Sequence, residues 1–242
     1  MDKALKLDAL AIVAHPDDAE LCMAGTLLKM TDAGKQVGIV DLTRGELGTR
    51  GSAELRDEEA ARASEQLGLA TRVNLDLGDG FFEETEETLR AIISQIRHLR
   101  PEVVFSNAPS DRHPDHGRGH SLVHRACFLS GLPKIETQWQ QQPQAAWRPR
   151  QVFSGIQDHY HTPSFVVDIT DYFARKLDVI RCYSSQFYNP ESNEPETPIS
   201  SLSFWKQLEG RALEYGRMMG VTYAEGFIST QPIGVESPLQ LL

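Results

Sequence analysis

Residues 7–20 read Leu7-Asp8-Ala9-Leu10-Ala11-Ile12-Val13-Ala14-His15-Pro16-Asp17-Asp18-Ala19-Glu20. Leu7–Ala14 is an almost unbroken apolar run of strand length, the pattern of a strand buried on both faces of a parallel sheet. A helical pattern follows over Glu20–Ala33, with Leu21, Ala24 and Leu28 on one face and Gly34 as its stop. Between them, where a dinucleotide-binding fold carries G-x-G-x-x-G, this chain has His-Pro-Asp-Asp. Strand and helix predict an α/β core. The turn predicts chemistry other than phosphate cradling.

The alternation continues outward from this unit. Gln36–Leu42 reads as a strand, Thr43–Gly51 as a glycine-rich loop, Ala53–Leu67 as a helix closed by Gly68, and Thr71–Leu77 as a third strand. Leu89, Ile92, Ile93, Ile96 and Leu99 form the stripe of a core-facing helix ended by Pro101. Val103–Asn107 is the fourth strand, and a helix is expected from about Gly119 to Leu129. Repeated β-α-β units predict a three-layer, Rossmann-like, mostly parallel sheet of order 3-2-1-4. Residues 131–150, rich in Gln and Pro, read as a surface loop. Strands over Gln151–Gln157 and Ser164–Asp168 follow, then a helix over Tyr172–Tyr183, a polar loop over Asn189–Thr197 and a helix over about Ser201–Met219. No repeat or linker interrupts the 242 residues. The expectation is one domain over 1–242, with a core over 1–130 and a part from 131 shaping the substrate side.

The composition excludes several classes. Hydrophobic residues are 40% and charged residues 24%, ordinary for a globular chain and incompatible with wholesale disorder. A net charge of −10 disfavours nucleic acid and anionic membranes as partners. No apolar run approaches the roughly 20 residues that span a bilayer. Met1–Lys6 leads into the first strand without a hydrophobic leader, and Cys22, Cys127 and Cys182 are scattered with no CxxC pair. A cytoplasmic, reducing setting is expected, with neither a disulfide framework nor a cysteine-rich zinc site.

The fourth strand runs into Asp111-Arg112-His113-Pro114-Asp115-His116. In a 3-2-1-4 sheet, strands 1 and 4 are neighbours whose helices leave to opposite faces, opening a crevice at their carboxyl ends. Two loops about 100 residues apart in sequence should therefore meet there. A catalytic zinc site needs about three protein ligands and one open position, which His15, Asp18 and His116 can supply. Asp17 diverges from its neighbour and suits a general base. His113 can stabilise an oxyanion or protonate a leaving amine, and Asp115 can hold its tautomer. There are competing readings. HPDD can be a turn with an Asp helix cap. His116, His120 and His124 stand four apart, a metal-ligand spacing. Gly117 and Gly119 argue against a continuous helix there, so His120 and His124 read as surface or packing residues.

Ala14–Glu20 (AHPDDAE) and His113–His116 (HPDH) resemble the LmbE-like (PIG-L) family of zinc-dependent N-acetylglucosamine deacetylases. Residues 43–60 (TRGELGTRGSAELRDEEA), 183–200 (YSSQFYNPESNEPETPIS) and 223–227 (YAEGF) look most like its bacillithiol biosynthesis branch, which cleaves acetate from N-acetylglucosaminyl malate. The resemblance implies His15, Asp18 and His116 as zinc ligands, with Fe(II) or another divalent ion also compatible with the set. It implies Asp17 as base, His113 with Asp115 as acid or oxyanion stabiliser, and Arg56 as a substrate-contacting arginine suited to a carboxylate. It further implies a small amino-sugar conjugate as substrate and a homo-oligomer such as a hexamer. His159 and His161 share one face if their segment is a strand, facing either the cleft or an exposed edge. Pro198 stands where relatives are expected to place an aromatic or hydroxyl residue near substrate. Alternatives are a zinc N-deacylase or amidase for another sugar or thiol conjugate and, in a different class, a nucleotide-binding module without catalysis.

Overall fold

Every residue of β1 (Ala9–Val13) and β2 (Val37–Asp41) is buried in the computed structural model, which describes residues 5–237 and Leu239. That burial is what the continuous apolar runs predict. β1 pairs in parallel with β2 on one side and with β4 (Val103–Ser106) on the other, and β3 (Thr71–Asn74) pairs in parallel with β2. β7 (Gln151–Gly155) extends the parallel set beyond β4. β9 (Ala224–Ser229) and β8 (Phe165–Asp168) close the sheet antiparallel, giving the order β3-β2-β1-β4-β7-β9-β8. The predicted 3-2-1-4 core is present in this mostly parallel sheet.

Alternate residues of β1 feed two cores. Ala9, Ala11 and Val13 pack with α1 (Asp18–Asp32), α2 (Ala53–Leu67) and α5 (Phe173–Arg181). Leu10 and Ile12 pack with α3 (Glu86–Leu99) and α4 (Pro114–Ser130). Helices therefore cover both faces. The α3 stripe of Leu89, Ile92, Ile93, Ile96 and Leu99 is no more than 6% exposed, each side chain contributing roughly 1.5–3 kcal/mol of burial. Thr85 and Thr88 form a capping box at its start. The C-terminal α6 (Leu202–Met219) packs on β8 and β9. No helix among the described residues is long and apolar enough to cross a membrane.

Four expectations need correction. α4 begins at Pro114, five residues before Gly119, so HPDH opens the helix. Its glycines permit close approach to neighbouring backbone and side chains. A Cβ at Gly117 would lie 3.0 Å from the Pro109 carbonyl oxygen, and one at Gly119 would lie 3.4 Å from Leu42 Cδ1. Within 131–150, β5 (Gln138–Trp139) and β6 (Gln142–Pro143) form a hairpin, turned through Gln140 and Gln141 at positive φ. β9 went unrecognised because a buried charge and a glycine break its apolar pattern. Glu225 accepts hydrogen bonds from the Gly25 and Thr26 backbone and from Lys176, and a Cβ at Gly226 would meet the Tyr215 ring at 2.7 Å. Finally, His159 and His161 lie outside any strand.

Candidate active site

Asn107, just beyond β4, ties the two loops together. Its Oδ1 accepts the Ala14 backbone N–H (2.8 Å) and its Nδ2 donates to Asp18 Oδ2 (3.1 Å). Asp17 occupies the helix-cap position of α1, yet its side chain makes no capping bond, so the simple capping reading of HPDD fails. Its backbone sits at φ 117°, a strained conformation costing about 1–3 kcal/mol for a non-glycine residue. The buried Asp17 carboxylate instead accepts from Arg56 Nη1 (3.2 Å), which also donates to the Pro16 carbonyl (2.9 Å).

Asp18 lies between two imidazoles. His15 Nδ1 is 3.3 Å from one carboxylate oxygen and His116 Nε2 is 3.1 Å from the other. The outward nitrogen of each ring faces another carboxylate. His116 Nδ1 is 2.9 Å from Asp111 Oδ2, and His15 Nε2 is 3.1 Å from Asp79 Oδ1 and 3.3 Å from Asp115 Oδ2. This is the carboxylate–histidine arrangement that orients metal-ligating imidazoles. Gln157 Nε2 donates to Asp18 Oδ1 (2.9 Å) from the end of β7. Two further donor sets converge tightly enough to compete or assist: His15 with His113 and His116, and His15 with Asp79 and Asp115, each grouped within 4.8 Å. The donors present, buried imidazoles and carboxylates beside a cleft, fit a divalent metal.

The electrostatics point the same way. Burial opposes charging His15, but Asp115, Asp18 and Asp79 together hold its pKa well above the ordinary histidine value. Burial likewise opposes charge on His116, but Asp18 and Asp111 raise its pKa to about 9. The pocket thus favours net positive charge at its centre. Asp18 is held well below the carboxylate range by His116 and His15 against the effect of burial. Burial pushes Asp17 up to about 7, with Arg56 holding it back. Burial, then His15 and His116, push His113 down, so its ring is neutral at neutral pH. His113 Nδ1 accepts the Asp115 backbone N–H (3.3 Å), which places the remaining ring hydrogen on Nε2.

The structure therefore gathers His15, Asp17, Asp18, His113, Asp115, His116 and Arg56 around one place, with one correction. The expected carboxylate contact from Asp115 to His113 is replaced by a backbone one. The Asp115 side chain serves His15, the Gly80 N–H (2.9 Å) and Arg118 (2.9 Å). Arg56 lines the cleft at 5% exposure, with its Nη1 on Asp17 and Pro16 and its Nε without a protein partner. Asp79, Asn107, Asp111 and Gln157 were missed as site residues. The Gly78-Asp79-Gly80 turn and the aspartate inside the second quoted loop were the available signals. His120 and His124 lie on α4 with His116 but their rings meet each other, tilted, at 4.1 Å beside Ser154, so the three do not form one ligand set. His161 contacts the Ser110 carbonyl, and neither it nor His159 lines the cleft. Pro198 does, with Thr197, Gln157 and Gln186.

Comparison with known proteins agrees with the fold. Residues 10–127 match the family described as PIG-L: GlcNAc-PI de-N-acetylase. The diacetylchitobiose deacetylase of Thermococcus kodakarensis is 33% identical over 228 residues, covering 90% of this chain and 80% of that protein. The probable N-acetyl-alpha-D-glucosaminyl L-malate deacetylase 2 of Bacillus anthracis is 28% identical over 195 residues, covering 74% of this chain and 80% of that protein. The solved structure of a conserved protein from Thermus thermophilus superposes with a TM-score of 0.84 at 34% identity, covering 96% of this chain and 98% of that one. Fold, site and relatives define an enzyme acting on N-acetyl amides. The chain belongs to the PIG-L family.

Proposed function

We propose that this protein hydrolyses the N-acetyl group of an N-acetylglucosamine conjugate, releasing acetate and the free amine. The observation that carries the reading is the convergence of His15 Nδ1 and His116 Nε2 on Asp18, with the Asp17 carboxylate beside them in a cleft of about 280 Å³. N-acetylglucosaminyl malate is one candidate conjugate, supported by the bacillithiol-branch motifs and by the Bacillus anthracis relative. A disaccharide such as that acted on by the Thermococcus relative is the other.

In this reading His15, Asp18 and His116 hold zinc or another divalent ion. The chemistry supplied by such a metal is Lewis-acid polarisation of the acetyl carbonyl and acidification of a water molecule to near neutral pH. Asp17 takes the proton of the attacking water. Arg56 keeps that carboxylate turned into the cleft. His113 donates its Nε2–H to the carbonyl oxygen as negative charge develops there. Asp17 then returns the proton to the sugar nitrogen as the C–N bond breaks, leaving acetate and the amine. Asp115 and Asp79 orient His15 and Asp111 orients His116.

The same reading treats residues 1–242 as one domain, whose part after 131 supplies Gln157, Gln186, Thr197 and Pro198 to the cleft. A cytoplasmic setting is supported by three free, buried cysteines. The test is acetate release from N-acetylglucosamine, its malate conjugate and N,N′-diacetylchitobiose, with metal-saturated and chelator-treated protein. Turnover that disappears with chelator supports the reading. No acetate from any of the three with metal-saturated protein refutes it.

A further inference from the structure

A cleft of about 280 Å³ lies just below the roughly 300–1,000 Å³ of pockets that enclose drug-sized ligands. It accommodates one amino-sugar ring, so a group joined to that ring must lie on the lip. Two loops build the lip and are fastened together. The Leu47 N–H donates to Asp79 Oδ2 (3.0 Å), and the Asp79 N–H donates to Glu46 Oε1 (2.7 Å). On this rigid edge stand two large apolar side chains, Leu47 at 61% exposure and Phe81 at 81%. Leu47 lines the cleft and lies beside Gly80, where a Cβ would be 3.6 Å from Leu47 Cδ1. Phe81 is the next residue.

The cations near this edge are already engaged. Arg56 Nη1 holds Asp17 and Pro16, Arg112 pairs with Asp158 (2.9 Å), Arg118 with Asp115 and the Gly80 carbonyl, and Arg44 with Asp57. A carboxylate on the attached group would have to compete with Asp17, Asp158, Asp115 and Asp57 for these guanidinium groups. A neutral saturated ring finds an apolar edge, and the polarised C–H face of a pyranose suits the electron-rich face of an aromatic ring.

We propose that Leu47 and Phe81 form a subsite for a neutral saturated ring joined to the amino sugar, such as a second pyranose. This rests on the deacetylase reading above. The test compares kcat/KM of metal-saturated enzyme for N-acetylglucosamine, N,N′-diacetylchitobiose and N-acetylglucosaminyl malate. The two-ring substrate is expected to exceed the one-ring substrate by about tenfold or more. Phe81→Ser should lower that two-ring to one-ring ratio about threefold to tenfold, the span of a single aromatic contact. Leu47→Ser should lower it by a smaller factor, and Phe81→Trp should preserve it. The malate to one-ring ratio should not follow these changes. Melting temperature and size-exclusion profiles accompany each variant. An unchanged two-ring ratio in Phe81→Ser, whether or not assembly changes, overturns the subsite while leaving the deacetylase reading intact. So does a parallel fall in the malate ratio. Acetate from none of the substrates overturns both.

Discussion

His15 Nε2 lies 3.1 Å from Asp79 Oδ1, although 64 residues separate the two. The contact turns the opposite ring nitrogen, Nδ1, toward Asp18 and so decides which face of His15 the cleft sees. Asp79 is itself anchored by the Leu47 N–H and by its own amide to Glu46. Asp79→Ala is expected to weaken divalent-metal binding about 10- to 100-fold, the usual cost of losing an orienting partner of a metal-bound histidine. Competition with a fluorescent chelator measures it. An affinity unchanged from wild type would show that Asp115 alone orients the ring.

Asp17 and His116 separate catalysis from metal retention. Asp17→Asn should keep stoichiometric metal by elemental analysis while losing about 10²–10⁴ in kcat, the range for a general base. His116→Ala should lose the metal. Full occupancy in His116→Ala would transfer the third ligand to His113, which groups with His15 and His116 within 4.8 Å.

Arg56 is buried against Asp17, so its loss should act on the chemistry. Arg56→Ala is expected to lower kcat for the one-ring and malate substrates by similar factors, at least about tenfold. A rise in KM confined to the malate conjugate would instead mark Arg56 as a carboxylate receptor.

His124 makes acid stability testable away from the cleft. Burial, then the neighbouring His120, lower its pKa from the ordinary 6.5 to about 4. The unfolded chain therefore binds this proton before the folded one does. Stability is fully present above pH 6.5 and falls as the pH drops toward 4, by no more than about 1.4 kcal/mol per pH unit. His124→Gln should flatten that slope in urea titrations between pH 4 and 7. An identical slope in the variant would mean that His124 stays solvated.

Sequence alone determined the parts governed by local periodicity and strand order. The apolar run at Leu7–Ala14, the helix patterns on either side and the absence of a glycine fingerprint were enough for the β3-β2-β1-β4 core. That order then placed His15, Asp17 and Asp18 opposite His113 and His116, because neighbouring parallel strands end at the same edge. Tertiary structure decided everything that depends on partners distant in sequence. Gly117 and Gly119 read as helix breakers until Pro109 and Leu42 crowd them. Glu225 and Gly226 hide β9 until Lys176 and Tyr215 explain them. Arg56 reads as a substrate contact, and only the fold shows its Nη1 on Asp17. Asp79 carries no signal beyond its Gly-Asp-Gly turn. A side chain's role is set by which groups share its desolvated space, and that space is assembled only when the sheet brings the loops together.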